Sequence, residues 1–153
     1  MAERIKFGQV EPAAYKAMLG LEQYLAQSGL DKKLLSLVKV RASQVNKCAF
    51  CIDMHSKEAR KALETEQRLY ALSAWQETSF FTPQERAALA LTEAVTLIAE
   101  NSVSDELYDL VSRHFSHNEI IQILMAISTI NAWNRIAITT KMIPGSHRVE
   151  ETV

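Results

Sequence analysis

The sequence predicts an all-α protein, a compact bundle of about six to seven helices. Apolar residues recur at spacings of three and four through most of the chain, and no stretch shows sustained apolar–polar alternation. Only four glycines and three prolines occur among the 153 residues. Because nothing resembles a linker, a repeat or a low-complexity tract, we expect one helical domain that spans residues 1–153.

The first half of the chain contains four predicted helices. The first covers residues 12–27, and Asp31 is the predicted N-cap of the second. Asn46 is the predicted N-cap of a third helix, which begins at residue 47 and continues to about residue 63. A shorter helix is expected over residues 66–75.

The second half contains stronger start signals. Thr82 can cap a helix, Pro83 lies where its missing N–H is harmless, and Glu85 completes a capping box. Ser104 precedes two acidic residues, which the helix dipole favours in a first turn.

The last predicted helix starts with a second capping box, formed by Ser116 and Glu119, and ends near Pro144. It is apolar over most of its circumference. Such a helix is buried either in the centre of the fold or against another subunit.

Composition excludes several classes of function. The net charge is −1, and no cluster of Lys and Arg indicates a nucleic-acid partner. No apolar run is long enough to cross a membrane, and the N-terminus lacks the apolar core of a secretory signal. We therefore expect a cytoplasmic protein.

The chain has only two cysteines, Cys48 and Cys51, and His55 follows four residues later. On a helix these three side chains fall within an arc of about 60°. A pair this close adds little stability as a crosslink, and the cytosol keeps thiols reduced. Redox or metal chemistry is therefore a better interpretation than a structural role.

Both cysteines have a neighbour that can lower the thiol pKa. A helix N-terminus favours the thiolate of Cys48, whereas His55 favours that of Cys51, so the order of reaction stays open. A thiolate that attacks a peroxide becomes a sulfenic acid, which the second thiol converts to a disulfide. Buried inert thiols and a Cys₂His zinc site are the alternatives. We expect neither a metal nor an organic cofactor.

Residues 41–55, which contain the two cysteines and the histidine, resemble the signature of the carboxymuconolactone decarboxylase / alkyl hydroperoxidase D-like superfamily. The resemblance to its short single-domain members also includes residues 68–75, 80–81, 85–93 and 129–135. In total it spans about residues 12–140. It implies an all-helical fold, assembly into trimers or hexamers, and thiol-dependent peroxidase or disulfide reductase activity.

The resemblance also implies roles for single residues. Cys51 would be the peroxidatic thiol, Cys48 the resolving thiol and His55 the proton relay. Two positions depart from the pattern: Ser36 replaces the relay glutamate, and Phe50 replaces a histidine before the attacking cysteine. Both changes predict slower or differently tuned chemistry.

Other polar or aromatic residues are weaker candidates. Four residues of the last helix are expected in a core or subunit contact first and in the dithiol pocket second: Asn131, Trp133, Asn134 and Arg135. Asp53 is expected to be solvated or in a salt bridge, and His147 to lie in a frayed tail.

The function expected from these observations is reduction of an organic hydroperoxide, with the dithiol restored by an external dithiol, for which a lipoylated protein is one candidate. One alternative is a redox-sensing or disulfide-exchange oligomer without turnover. The other is lactone decarboxylation, although members with that activity need not carry the cysteine pair.

Overall fold

Eight α-helices make up most of residues 2–148, the part of the chain that this computed structural model describes. No strand occurs within that range, so the predicted all-α class is confirmed. The helices are α1 (Phe7–Val10), α2 (Pro12–Gln27), α3 (Lys32–Val45), α4 (Ala49–Lys61), α5 (Glu66–Ala71), α6 (Pro83–Thr96), α7 (Asp105–Ser112) and α8 (His117–Thr140), with a 3₁₀ segment, Leu72–Glu77, after α5.

Side chains at the helix starts form the predicted caps. The carboxylate of Asp31 accepts a hydrogen bond from the backbone N–H of Leu34 at 2.8 Å. Thr82 and Ser116 each form a complete capping box, with Glu85 and Glu119 respectively. These caps were predictable because each depends on residues only three positions apart.

Helix α3 occupies the centre of the bundle and packs against α4, α6 and α8. Leu37 and Val38 on α3 are fully buried, as are Ile123 and Ile127 on α8. Each such side chain contributes about 1.5–3 kcal/mol through removal of apolar surface from water. The buried apolar residues around α3 fall into two main clusters.

The junction of α3 and α4 fixes the position of Cys48. Lys47 has φ of 58°, in the left-handed region, and ends α3. The backbone N–H of Cys48 donates to the carbonyl of Ser43 at 2.9 Å, and that of Lys47 to Gln44 at 3.1 Å, the two bonds of a Schellman motif. Cys48 is then the N-cap residue of α4.

Two predicted helix boundaries were wrong. Asn46 is the C-cap of α3 and not the N-cap of the next helix, because its amide is hydrogen-bonded to two asparagines of α8. Helix α8 ends at Thr140 and not near Pro144, because Lys141 has a left-handed backbone with φ of 57°.

None of the helices within residues 2–148 combines the length and apolar character that a membrane crossing requires.

Candidate active site

Cys48 and Cys51 lie at the N-terminal end of α4 as free thiols, and each side chain is only 1% exposed. Cys48 is the N-cap residue and Cys51 lies in the first turn. Both pack in a small apolar cluster with residues of α3 and α8, namely Ala42, Ile130 and Ala137. The predicted proximity of the two sulfurs thus follows from their positions in a single helical turn.

The two thiols influence each other's ionisation. A hydrogen bond from the Cys51 thiol lowers the pKa of Cys48 to about 7, against the opposing effect of burial. Backbone N–H groups of Cys51 and Phe50 and the amide of Asn134 lower it further. The pKa of Cys51 is strongly raised, first by this hydrogen bond, then by burial and by the charge on Cys48. Near neutral pH the pair therefore shares one proton, with the thiolate on Cys48.

His55 is held by a carboxylate on its own helix. Its ring is 3% exposed, and its Nδ1 atom lies 2.7 Å from Oε2 of Glu58. Its Nε2 atom has no hydrogen-bond partner among residues 2–148. Burial would raise the pKa of Glu58, but His55, Lys39 and His147 together lower it. When the ionised Glu58 accepts a hydrogen bond from Nδ1–H, Nε2 is the ring nitrogen left to exchange a proton.

A cavity of about 360 Å³ adjoins His55. Phe50, Trp133 and Met142 line this cavity and also pack against the apolar cluster that contains the two cysteines, whereas neither Cys48 nor Cys51 lines it. These three side chains therefore contact both the cavity and the cluster, while both cysteines remain buried. The lining comprises Tyr15, Leu19, Glu22, Lys39, Phe50, Met54, His55, Glu58, Trp133, Met142 and His147.

The segment that follows α8 folds back onto α4 beside this cavity. Asp53 forms an ion pair with Lys57 at 2.7 Å, as predicted for a salt-bridging side chain, and accepts a hydrogen bond from the N–H of Gly145 at 3.1 Å. The Nε2 atom of His147 lies 3.8 Å from Oε1 of Glu58. The prediction of a frayed tail at His147 was therefore wrong, because polar groups of α4 hold this segment.

This chain matches the model of a known family over residues 12–94, a segment that includes the two cysteines, His55 and Glu58. The chain belongs to the carboxymuconolactone decarboxylase family. The resemblance drawn from the sequence is thereby confirmed.

Two proteins are similar to this member of the carboxymuconolactone decarboxylase family over nearly their whole length. YdfG of Bacillus subtilis, an uncharacterised protein, is 45% identical over 90% of this chain and 94% of its own length. A solved structure from Agrobacterium tumefaciens is 43% identical, covers 97% of this chain and all of its own, and has a TM-score of 0.91. That protein is of unknown function, and its name proposes a role in antioxidant defence as AhpD.

The fold also occurs in a protein named as a debrominase. The debrominase Bmp8 has a TM-score of 0.81 and 21% identity, over 90% of this chain and 74% of its own. At that identity the comparison shows the common fold of the two proteins and nothing about activity.

Ser36, the position of the relay glutamate in the resemblance, does not line the cavity beside His55. Its hydroxyl donates to the backbone carbonyl of Lys32 at 2.9 Å. It borders a neighbouring cavity of about 520 Å³, whose wall also includes Lys39 and Glu58. Lys39 and Glu58 thus line both cavities. The carboxylate that is hydrogen-bonded to His55 belongs to Glu58 on α4, and not to a residue at position 36.

Two candidate residues on α8, Trp133 and Asn131, differ in whether they line the cavity. Trp133 lines the cavity, as Phe50 of α4 does, whereas Asn131 bonds to Asn46 at 3.0 Å and to Thr96 at 3.0 Å and stays outside it. The fully buried Asn134 accepts from Asn46 at 2.9 Å. Its amide influences the pKa of both thiols. Asn131 therefore supports the α3–α4 junction, while Asn134 approaches the sulfurs.

The sequence interpretation missed several residues of this site. The spacing of three residues between His55 and Glu58 was a usable signal, because such pairs face each other on a helix. No local pattern indicated Tyr15 or Lys39, since they reach the cavity beside His55 from other helices.

Proposed function

We propose that this protein reduces organic hydroperoxides with the Cys48/Cys51 dithiol. The observation that supports this most directly is a pair of buried free thiols in one turn of α4, followed on the same helix by a buried histidine with a carboxylate partner. Because the two thiols are hydrogen-bonded and share one proton, either sulfur can become the thiolate, and the second thiol lies close enough to complete a disulfide. The family includes members associated with such chemistry by name, which agrees with the proposal.

The reaction starts with a proton transfer inside the pair. Cys51 gives its proton to the Cys48 thiolate, and the Cys51 thiolate attacks the terminal oxygen of the hydroperoxide. A sulfur–oxygen bond forms, the O–O bond breaks, and an alkoxide leaves. Assigning the attack to Cys51 follows the family resemblance, and its position one helical turn from His55 supports the assignment.

The alkoxide has to receive a proton from outside the dithiol. His55 can deliver it from Nε2, while Glu58 stabilises the imidazolium through Nδ1. Cys48 then attacks the Cys51 sulfenic acid, the S–O bond breaks, and hydroxide leaves with the Cys48 proton as water. One hydroperoxide and one external proton are consumed, and an alcohol, a water and a disulfide are formed.

The cycle needs an external dithiol, because the chain has no cysteine beyond these two. Thiol–disulfide exchange through a mixed disulfide would return both electrons. A lipoyl group fits this task, since it carries a dithiol on a long, uncharged arm that can enter a narrow cavity. A reducing compartment such as the cytosol would keep that partner reduced.

Assembly into a trimer or hexamer is part of this proposal. Large apolar side chains on several helices remain exposed in the single chain, among them Tyr24, Ile121 and Ile138. Burial of such residues is what a homo-oligomer interface would provide. Light scattering of the purified protein tests this, and a monomer at all concentrations would contradict it.

The experiment that tests the function combines a thiol titration with intact mass. One equivalent of cumene hydroperoxide should remove two free thiols and about two mass units. With dithiothreitol present, peroxide consumption should continue over many turnovers. Cys51→Ser should abolish both effects, whereas Cys48→Ser should leave a Cys51 sulfenic acid that dimedone captures.

The other outcomes are equally informative. Two thiols that persist with excess peroxide would contradict the proposal. A disulfide that forms once but is not reduced by any dithiol would favour a redox sensor over a peroxidase.

A further inference from the structure

In the described part of the chain, the lysine that lines the cavity beside His55 is paired with a carboxylate. Within residues 2–148, Lys39 is the one lysine or arginine in the lining, and its ammonium lies 2.5 Å from Oε2 of Glu22. The second carboxylate, Glu58, is bonded to His55 and lies near His147. With both imidazoles neutral, the lining carries two negative charges and one positive charge.

Protonation of either histidine leaves the lining without an excess of positive charge. Nδ1 of His55 lies 2.7 Å from Glu58, and Nε2 of His147 lies 3.8 Å from the other oxygen of that carboxylate. A positive charge on either ring is therefore compensated locally by Glu58. An anionic ligand would enter a partly apolar cavity against two carboxylates and without a free ammonium or guanidinium.

The rest of the lining suits an apolar group. Three aromatic side chains, two methionines and a leucine contribute to it. Tyr15 and Trp133 pack edge to face at 6.0 Å, and each packs in the same way on Phe7. The volume of about 360 Å³ is near the lower end of the range of small-molecule sites, which suits a ligand of one aromatic ring with small substituents.

We propose that this cavity selects uncharged apolar hydroperoxides, such as aryl and branched-alkyl hydroperoxides, and rejects hydroperoxides that carry a carboxylate. The substrate class rests on the proposed peroxidase function, whereas the preference for a neutral over an anionic ligand depends only on the charges that line the cavity.

Two substrates of matched shape test this selection. Cumene hydroperoxide is compared with its para-carboxylate derivative, and each kcat/KM is divided by the rate of that compound with free dithiothreitol. We expect the neutral compound to be preferred by about tenfold or more. A para-trimethylammonium derivative separates the sign of the charge from polarity, and it should be accepted at least tenfold better than the carboxylate. Equal use of neutral and anionic compounds would overturn the proposal, as would equal rejection of both charged ones.

A charge change in the lining gives a second test. Glu22→Gln leaves Lys39 without its carboxylate, so the preference for the neutral over the carboxylate substrate should fall about fivefold or more. Glu100→Gln removes the same charge from an exposed residue that does not line the cavity, and the preference should stay unchanged. An unchanged preference in a folded Glu22→Gln protein would contradict the role given to the Lys39–Glu22 pair.

Binding without turnover separates this inference from the proposed function. In a Cys48→Ser/Cys51→Ser double variant, calorimetry compares 2-phenyl-2-propanol with its para-carboxylate. Selective binding of the neutral alcohol supports the inference even if the native protein reduces no peroxide. Equal binding, or no binding of either compound at millimolar concentration, would overturn it whatever the peroxidase assay shows.

Discussion

Nδ1 of His55 lies 2.7 Å from Oε2 of Glu58, which is one helical turn further along α4. The pair brings a carboxylate to the buried imidazole although position 36 holds a serine. It also fixes the ring, so that Nε2 is the nitrogen left for proton exchange.

Glu58→Gln should slow peroxide reduction. The amide can still bond to Nδ1 but cannot stabilise an imidazolium by its charge, so kcat/KM should fall by about 10- to 100-fold. The free energy of unfolding should change little, since Glu58 is only half-buried. Steady-state assays with dithiothreitol measure the loss. Glu77→Gln, a change at an exposed residue away from the cavity, is the control, and an equal loss there would contradict the role of Glu58.

Alkylation of Cys48 should reach half of its limiting rate near pH 7 instead of near pH 9. The thiol pKa is lowered from 9.0 to about 7, so the rate with iodoacetamide should rise through pH 7 and level off above it. Below pH 7 the thiol is protonated, and the rate should fall about tenfold per pH unit. Cys51→Ala removes the S–H donor and should move the midpoint upward. A midpoint that stays near 9 in the native protein would contradict the paired ionisation.

Asn134→Leu should raise the thiol pKa and destabilise the fold. The change removes an amide near both sulfurs and the bond to the Ser43 hydroxyl at 3.1 Å. Buried partners that are left unsatisfied cost about 1–3 kcal/mol. Thiolate absorbance at 240 nm and urea denaturation measure the two effects. Asn131→Leu is the matched control, because it should reduce stability without moving the thiol pKa.

Lys47→Gly should stabilise the protein. A side chain in the left-handed region costs about 1–2 kcal/mol, of which the flexibility of glycine in the unfolded chain offsets part. The exposed Lys47 has φ of 58°, so a net gain of about 0.5–1 kcal/mol is expected in the free energy of unfolding from urea titration. Lys33→Gly in the exposed first turn of α3 should have the opposite sign. Loss of stability in both variants would contradict the assignment of strain at Lys47.

Sequence reasoning predicted this fold well wherever the determining interactions are local. The capping boxes at Thr82 and Ser116 join residues three positions apart, and so their sequences were sufficient. Asn46 has the composition of an N-cap, but hydrogen bonds to α8, more than 80 residues away in the sequence, hold it as a C-cap. Such long-range bonds leave no periodic signal.

The same distinction applies to the site. Cys48, Cys51 and His55 could be placed on one face because they share a helix. Trp133 was predicted only as a secondary pocket candidate, since its approach to the dithiol depends on how α8 packs against α4. The attachment of His147 depends on Gly145, whose N–H reaches Asp53.

Because the C-terminal segment returns to α4, the residues that complete the cavity wall lie beyond the last helix of the fold. A protein shortened to end at Thr140 would keep all eight helices, and its circular dichroism would be nearly that of the whole chain. It would nevertheless lack Met142 and His147, two side chains of the cavity wall. The cavity would then open to solvent along one side. Such a shortened protein would therefore appear intact by its helix content while the wall of its cavity is incomplete.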